Sequence, residues 1–228
     1  MCERKSGNVK IYSYIFNLHQ MLAPKKNSII YWCMHQYVKF LVRTKFQELL
    51  FNDIEIDKNR SILLLANHFS FWDGLILHCI NDKLFKKNFY VMINETTAYK
   101  IHYLRYGGAF SINKKSRDII KSMDYAASLL NDPQNLVLLF PQGKLFSNFV
   151  EDIHFEKGIF RVIRQATGKF QLVFASTFVQ FYKHRKQSIN VYLKSETESY
   201  ADKSIRELKD AYQQHYNAAK KLQTEIDL

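Results

Sequence analysis

The sequence has few of the residues that build disulfide frameworks, flexible linkers or membrane spans. Its three cysteines, Cys2, Cys33 and Cys79, lack Cys-x-x-Cys spacing, which argues against disulfides and against a zinc site. Seven glycines and three prolines are too few for a long linker. No run of about 18 apolar residues occurs, so we expect no membrane-spanning helix. The N-terminal stretch has no signal-peptide pattern, and we expect a reducing, cytoplasmic setting.

What the sequence does contain is enough apolar material for a core and a large excess of positive charge. Of its 228 residues, 47% are hydrophobic, which suits one sizeable domain. The formal net charge of +12 implies an anionic partner such as nucleic acid, phospholipid headgroups or a phosphorylated substrate. Aromatic residues make up 15% of the chain, and they suit RNA stacking and membrane interfaces alike. Composition by itself does not choose between these partners.

Short apolar segments alternate with helical patterns along most of the chain. The segments SILLLAN and LVLLF are uniformly apolar, as strands covered on both faces are, and FYVMIN, GGAFSIN, QLVFASTFVQFY and INVYL are further predicted strands. Helices are predicted for WDGLILHCIND, SRDIIKSMDYAASLLNDP, EKGIFRVIRQATG and residues 201–223. This alternation predicts an α/β fold, in which helices flank a mainly parallel, mixed sheet.

The N-terminal part of the chain carries a long amphipathic pattern. Residues 30–51 place apolar and aromatic side chains at roughly helical spacing. One interpretation is a helix packed on the domain. The other is a helix on a membrane, with Trp32 at the interface and Arg43 near anionic lipid, and different faces could serve both. We therefore predict an N-terminal membrane-associating helical segment, residues 1–51, and a single α/β domain, residues 52–228.

Polar clusters follow three of the predicted strands. Open α/β sheets bind ligands beyond the carboxyl ends of their strands, so these clusters are expected to border one crevice. They are Asn67-His68, Lys114-Lys115 with Arg117, and Gln142-Gly143-Lys144.

The segment NHFSFWDG places Asp73 five residues after His68. On a straight helix these side chains would be about 140° apart around the axis, but at a strand-to-helix turn they can meet. A carboxylate on one imidazole nitrogen fixes the tautomer and leaves the other nitrogen as a general base. Two alternatives stay open at this point: Asp73 caps a helix, or the neighbouring Ser70 is a nucleophile.

The same segment resembles the His, four residues, Asp motif of the glycerolipid acyltransferases, the lysophospholipid acyltransferase family that includes bacterial 1-acylglycerol-3-phosphate acyltransferases. Three later segments resemble the blocks that follow it in that family, in the same order. They are GGAFSINK at 107–114, LLFPQGK at 138–144 and FEKGIFRVI at 155–163. The resemblance covers about residues 60 to 180.

The resemblance implies an acyltransferase that needs no metal and no cofactor. His68 would be the base and Asp73 its orienting partner, and an acceptor hydroxyl would attack an acyl thioester of coenzyme A or acyl carrier protein without a covalent enzyme intermediate. The residues predicted to contact substrate are Asn67, Lys114, Lys115, Arg117, Phe140, Pro141, Gln142, Gly143 and Lys144.

Several positions depart from the family pattern where the acceptor is held. Gln142 replaces the usual Glu, Lys144 replaces Thr, and Lys114 replaces an Arg, whose bidentate grip on phosphate a lysine lacks. The acceptor is therefore predicted to be a lyso-lipid other than lysophosphatidate, such as a lyso-aminolipid.

The predicted partners are membrane lipids and the thioester donor, and the predicted location is the inner face of the cell membrane. A basic nucleic-acid-binding protein is the main competing interpretation, but no RNP-like, zinc or arginine-rich motif supports it. A thioester hydrolase, in which water replaces the acceptor, and a catalytically silent lipid-binding relative also stay open.

Overall fold

The computed structural model describes residues 21–25, 27–112 and 119–226. Seven strands within these residues form one sheet: β1 Leu49–Phe51, β2 Ser61–Ala66, β3 Asn88–Asn94, β4 Ala109–Ile112, β5 Asn135–Leu139, β6 Phe170–Gln180 and β7 Ser188–Glu196. Their order across the sheet is β1-β7-β6-β2-β5-β3-β4. All neighbours are parallel except β6 and β7, which form an antiparallel hairpin.

Helices cover both faces of this sheet. The α-helices are α1 Ser28–Lys45, α2 Trp72–Ile80, α3 Glu95–Lys100, α4 Ile119–Leu129, α5 Gly158–Gln165 and α6 Ile205–Thr224. A π-helical turn, Asn81–Phe85, extends α2, and a 3-10 segment, His102–Gly107, follows α3. The predicted α/β fold with a mainly parallel, mixed sheet is therefore confirmed.

Strand β2 shows how the sequence produces the two layers. Every residue of β2 is buried, because successive side chains of a strand point to opposite faces and both faces are covered. Leu63 and Leu65 belong to the core beneath α4, α5 and α6. Ile62 and Leu64 belong to the second core, to which α1 and α2 contribute.

The predicted helix over residues 30–51 is wrong at its C-terminal end. Helix α1 ends at Lys45, and Phe46 is already extended with φ −110° and ψ 154°. The Gln47 N–H then donates to the Gln187 carbonyl, so the chain enters the sheet and residues 49–51 pair in parallel with β7. Leu49 and Phe51 pack against the second core, while Leu50 between them is exposed. This alternation is expected of an edge strand, in which successive side chains point to opposite faces of the sheet.

Helix α1 has a buried face and an exposed apolar face. Val38 and Val42 are buried in the second core. On the other side, Trp32 and Phe40 are each 62% exposed. A search of the described helices found none long and apolar enough to cross a membrane.

Candidate active site

The turn between β2 and α2 brings His68 and Asp73 together. Asp73 lies in the first turn of α2 and is fully buried. His68 Nδ1 lies 2.8 Å from Asp73 Oδ2. The turn thus removes the angular separation that a continuous helix would impose on residues five apart.

The Asp73 carboxylate also organises the turn itself. Its Oδ2 accepts the backbone N–H groups of Phe69 and Ser70 at 2.8 Å and 3.0 Å. Its Oδ1 accepts the Ser70 hydroxyl at 2.7 Å. The N-cap residue of α2 is Phe71, so Asp73 is not the cap. The Ser70 hydroxyl is therefore engaged as a donor to this carboxylate.

His68 is held from three further directions. Its backbone N–H donates to Gln142 Oε1 at 2.6 Å, and its carbonyl accepts the Phe146 N–H at 2.9 Å. Its ring stacks on Phe140 with centroids 4.0 Å apart. The side chain is 24% exposed, and among the described residues its Nε2 has no hydrogen-bond partner. The arrangement leaves one fixed, accessible nitrogen, which suits general-base catalysis.

The loop after β5 supplies that support through a tight turn. The Gly143 N–H donates to the Phe140 carbonyl, and Gly143 has φ 65°, a left-handed conformation that favours glycine. The Pro141 carbonyl accepts the Glu156 N–H at 2.8 Å. Gln142 is buried, and its Nε2 has no partner among the described residues.

A cavity of about 620 Å³ opens beside His68. Helices α1 and α2 and strands β3 and β4 contribute walls that are mostly apolar. Exposed Phe71, Tyr103 and Leu145 also line it, as do Gly143 and Lys144 from the loop after β5. Its volume lies within the range of small-ligand sites, and its apolar character suits a hydrocarbon chain.

The remaining predicted site residues fall into two groups. Asn67 is buried, and its side chain donates to the Thr177 carbonyl and accepts the Thr177 N–H at 3.0 Å and 2.8 Å. Those bonds connect the residue after β2 to strand β6 inside the fold. Lys114, Lys115 and Arg117 lie outside the described residues.

Sequence reasoning missed most of the cavity wall, including His78 in α2 and Met34 in α1. An amphipathic helix pattern marks a residue as inward-facing, but it does not separate a cavity wall from a packed core. Burial raises the pKa of the neighbouring Cys79 thiol to about 11, which leaves that thiol unsuited to act as a nucleophile. Within the described part of the chain, no three His, Cys, Asp or Glu side chains converge on a possible metal site.

A buried carboxylate thus contacts an accessible histidine at the carboxyl end of a central strand, beside a mostly apolar cavity, and this arrangement suits general-base catalysis. The sequence profile of the Acyltransferase family matches residues 48–179, more than half of the chain. The protein belongs to this family, the 1-acylglycerol-3-phosphate acyltransferase-like family, and acyl transfer is the chemistry that the family supports. No curated protein gives a significant match.

Proposed function

We propose that the protein transfers a fatty acyl group from an acyl thioester to the hydroxyl of a lyso-lipid. The observation that carries this proposal is the 2.8 Å contact between His68 Nδ1 and Asp73 Oδ2 beside the mostly apolar cavity. The donor is acyl-CoA or acyl carrier protein, and the reaction needs no metal or cofactor.

His68 acts as the general base. Its Nε2 takes the proton of the acceptor hydroxyl as the oxygen attacks the thioester carbonyl, and the C–O bond forms. Collapse of the tetrahedral intermediate breaks the C–S bond, and the imidazolium returns its proton to the leaving thiolate. Asp73 orients the ring and stabilises its positive charge. Such a base typically contributes about 10² to 10⁴-fold to the rate.

The acceptor headgroup is held by the β5 loop and by the basic cluster before α4. Lys144 lines the cavity, and Lys114, Lys115 and Arg117 are assigned to the same role. Gln142 brings a neutral amide to His68 where the family usually has a carboxylate. A lysine carries a flexible point charge and cannot form the bidentate contact with phosphate that an arginine forms. We therefore propose that these lysines bind the headgroup of a lyso-aminolipid and not that of lysophosphatidate.

The protein acts at the inner face of the membrane through α1. Trp32 and Phe40 project from its outer face, and aromatic side chains favour membrane interfaces. The net charge of +12 adds attraction to anionic lipid. We expect the double variant Trp32→Ser, Phe40→Ser to bind anionic liposomes at least about threefold more weakly in sedimentation. Ile120→Ser, at an exposed position of α4, is the control; equal binding by all three proteins would contradict this role.

The decisive experiment is an acyl-transfer assay with purified protein across a panel of lyso-acceptors. We expect His68→Ala to lose at least about 10²-fold in kcat, whereas His102→Ala, at an exposed histidine outside the cavity, keeps wild-type activity. Full activity in His68→Ala would remove the base from the mechanism.

The same assay separates this function from its competitors. Release of free fatty acid without an acceptor identifies a thioester hydrolase. Transfer to lysophosphatidate but to no lyso-aminolipid contradicts the acceptor assignment. Absence of transfer together with a salt-dependent shift of labelled RNA identifies a nucleic-acid-binding protein.

A further inference from the structure

A second histidine lies in the cavity wall, away from the His68–Asp73 pair in the fold. His78 occupies the last turn of α2, is 4% exposed and lines the cavity. Its Nε2 lies 2.9 Å from His35 Nδ1 on α1. Among the described residues its Nδ1 has no hydrogen-bond partner.

A chain of polar contacts connects His78 to the surface. His35 Nε2 lies 3.2 Å from Asp82 Oδ1, and Asp82 Oδ2 lies 2.8 Å from Lys39 Nζ. In a hydrogen bond between two neutral imidazoles one nitrogen donates and the other accepts, so either His35 Nδ1 or His78 Nε2 carries the proton of this contact. His78 Nδ1 is accordingly an acceptor when His78 Nε2 donates, and a donor when His78 Nε2 accepts.

Burial keeps His78 uncharged. Burial, and secondarily His35, lower the pKa of His78 to about 4, so the ring is neutral at physiological pH. Its edge-on contact with Phe89, with centroids 5.0 Å apart, holds the ring in place. His78 therefore contributes a neutral polar ring to a cavity wall that is mostly apolar.

A purely structural role for His78 explains the contact of its Nε2 but not its Nδ1, which is unpaired within the described part of the chain. Linking α1 to α2 requires the His78 Nε2 alone, and a plain hydrocarbon chain would leave Nδ1 without a partner in an apolar site. A buried polar group without a partner costs free energy. A hydroxyl satisfies Nδ1 in either tautomer, because it both donates and accepts.

We propose that His78 is a specificity-determining residue that hydrogen-bonds a hydroxyl carried on the acyl chain of the substrate. This inference rests on the proposed function, since it assigns the cavity to the acyl chain. His78 lies five residues beyond Asp73, about 7.5 Å along the helix axis. The hydroxyl therefore belongs along the chain and away from the reacting carbonyl.

The test compares acyl thioesters of one chain length, unsubstituted or with a hydroxyl at carbon 3 or farther along. We expect kcat/KM to favour one hydroxylated isomer by about 3- to 10-fold, the range of one hydrogen bond. In His78→Phe this ratio should fall to near one. The matched control is His215→Phe, since His215 is buried with a pKa lowered to about 4 but does not line the cavity; it should keep the ratio.

A second measurement needs no variant and no turnover. Titration calorimetry of the wild-type protein with hydroxylated and plain fatty acids should rank the isomers by affinity in the same order as kcat/KM does. Equal affinity and equal kcat/KM for all isomers, or a preference that persists in His78→Phe, would overturn the assignment. If all isomers are transferred equally and His68→Ala abolishes the transfer, the proposed function stands and the role of His78 is contradicted. If the protein binds one isomer preferentially but transfers none, the role of His78 is supported and the proposed function is contradicted.

Discussion

The cavity has two histidines, and each is connected to an aspartate in a different way. His68 contacts the fully buried Asp73 directly at 2.8 Å, and its ring is 24% exposed. His78 reaches Asp82 only through His35, and its own ring is almost completely buried. Asp82 is partly exposed and forms an ion pair with Lys39, whose Nζ lies 2.8 Å from its Oδ2. One histidine of the cavity therefore has a carboxylate in direct contact, whereas the other has none among the described residues.

This difference separates two roles that a histidine can have. A base needs a nitrogen that accepts a proton and a negative charge that stabilises the resulting imidazolium, and a direct contact with buried Asp73 provides that charge. Burial without a direct carboxylate contact disfavours the charged ring, and the pKa of His78 is accordingly lowered to about 4. A ring of that kind is suited to neutral hydrogen bonding.

The largest expected effect comes from exchanging each aspartate for its neutral isostere. Asp73→Asn should reduce kcat by about 10²-fold or more, because an amide no longer stabilises the imidazolium or fixes the tautomer. For an unsubstituted acyl chain, the fold loss in kcat caused by Asp82→Asn should be at least ten times smaller than the loss caused by Asp73→Asn. The reason is that Asp82 has no contact with His68. Steady-state kinetics with one acceptor measures both.

Circular dichroism and thermal unfolding check that both variants fold, since Asp73 also holds the backbone of the turn. Similar losses in the two folded variants would show that the two histidines do not differ in role.

A smaller effect is expected in the pH dependence of stability. The folded-state pKa of His78 is lowered from the ordinary 6.5 to about 4, so between these values the unfolded chain binds a proton that the folded chain does not. Stability should therefore rise with pH from about 4 to 6.5, and His78 should account for up to about 3 kcal/mol of that rise. The charged and titratable groups around it are His35, Lys39, Asp82 and the phenol of Tyr31.

Urea unfolding of wild type and His78→Phe across this pH range measures the difference. The variant should show a flatter profile, because phenylalanine does not titrate, and His102→Phe at an exposed position should keep the wild-type slope. Parallel profiles for wild type and His78→Phe would mean that His78 does not stay neutral in the folded protein.

Much of the fold was predictable from local pattern. The uniform apolar runs of β2 and β5 predicted strands covered on both faces, and their burial confirms it. The end of α1 was not predictable in the same way. Residues 46–51 keep an apolar character compatible with helix, and only the backbone bond from Gln47 to Gln187 and the pairing with β7 draw them into the sheet. Those partners are more than 130 residues away in the sequence.

The His68–Asp73 proximity followed from residue spacing together with the strand-to-helix turn, and the structure places the two side chains in contact. The support of His68 by Gln142 and the stacking of Phe140 did not follow from spacing, because they depend on β2 and β5 being neighbours in the sheet. The same holds for the His35–His78 contact between α1 and α2.

The sequence by itself determined the alternation of strands and helices, the family motifs and the pairing of His68 with Asp73, because these depend on residues close together along the chain. Only the tertiary structure decided which inward-facing residues line a cavity and which pack in a core. Helical periodicity marks the inner face of α2 but gives no distance to α1. The polar contacts of His78 therefore exist only once those two helices have packed together.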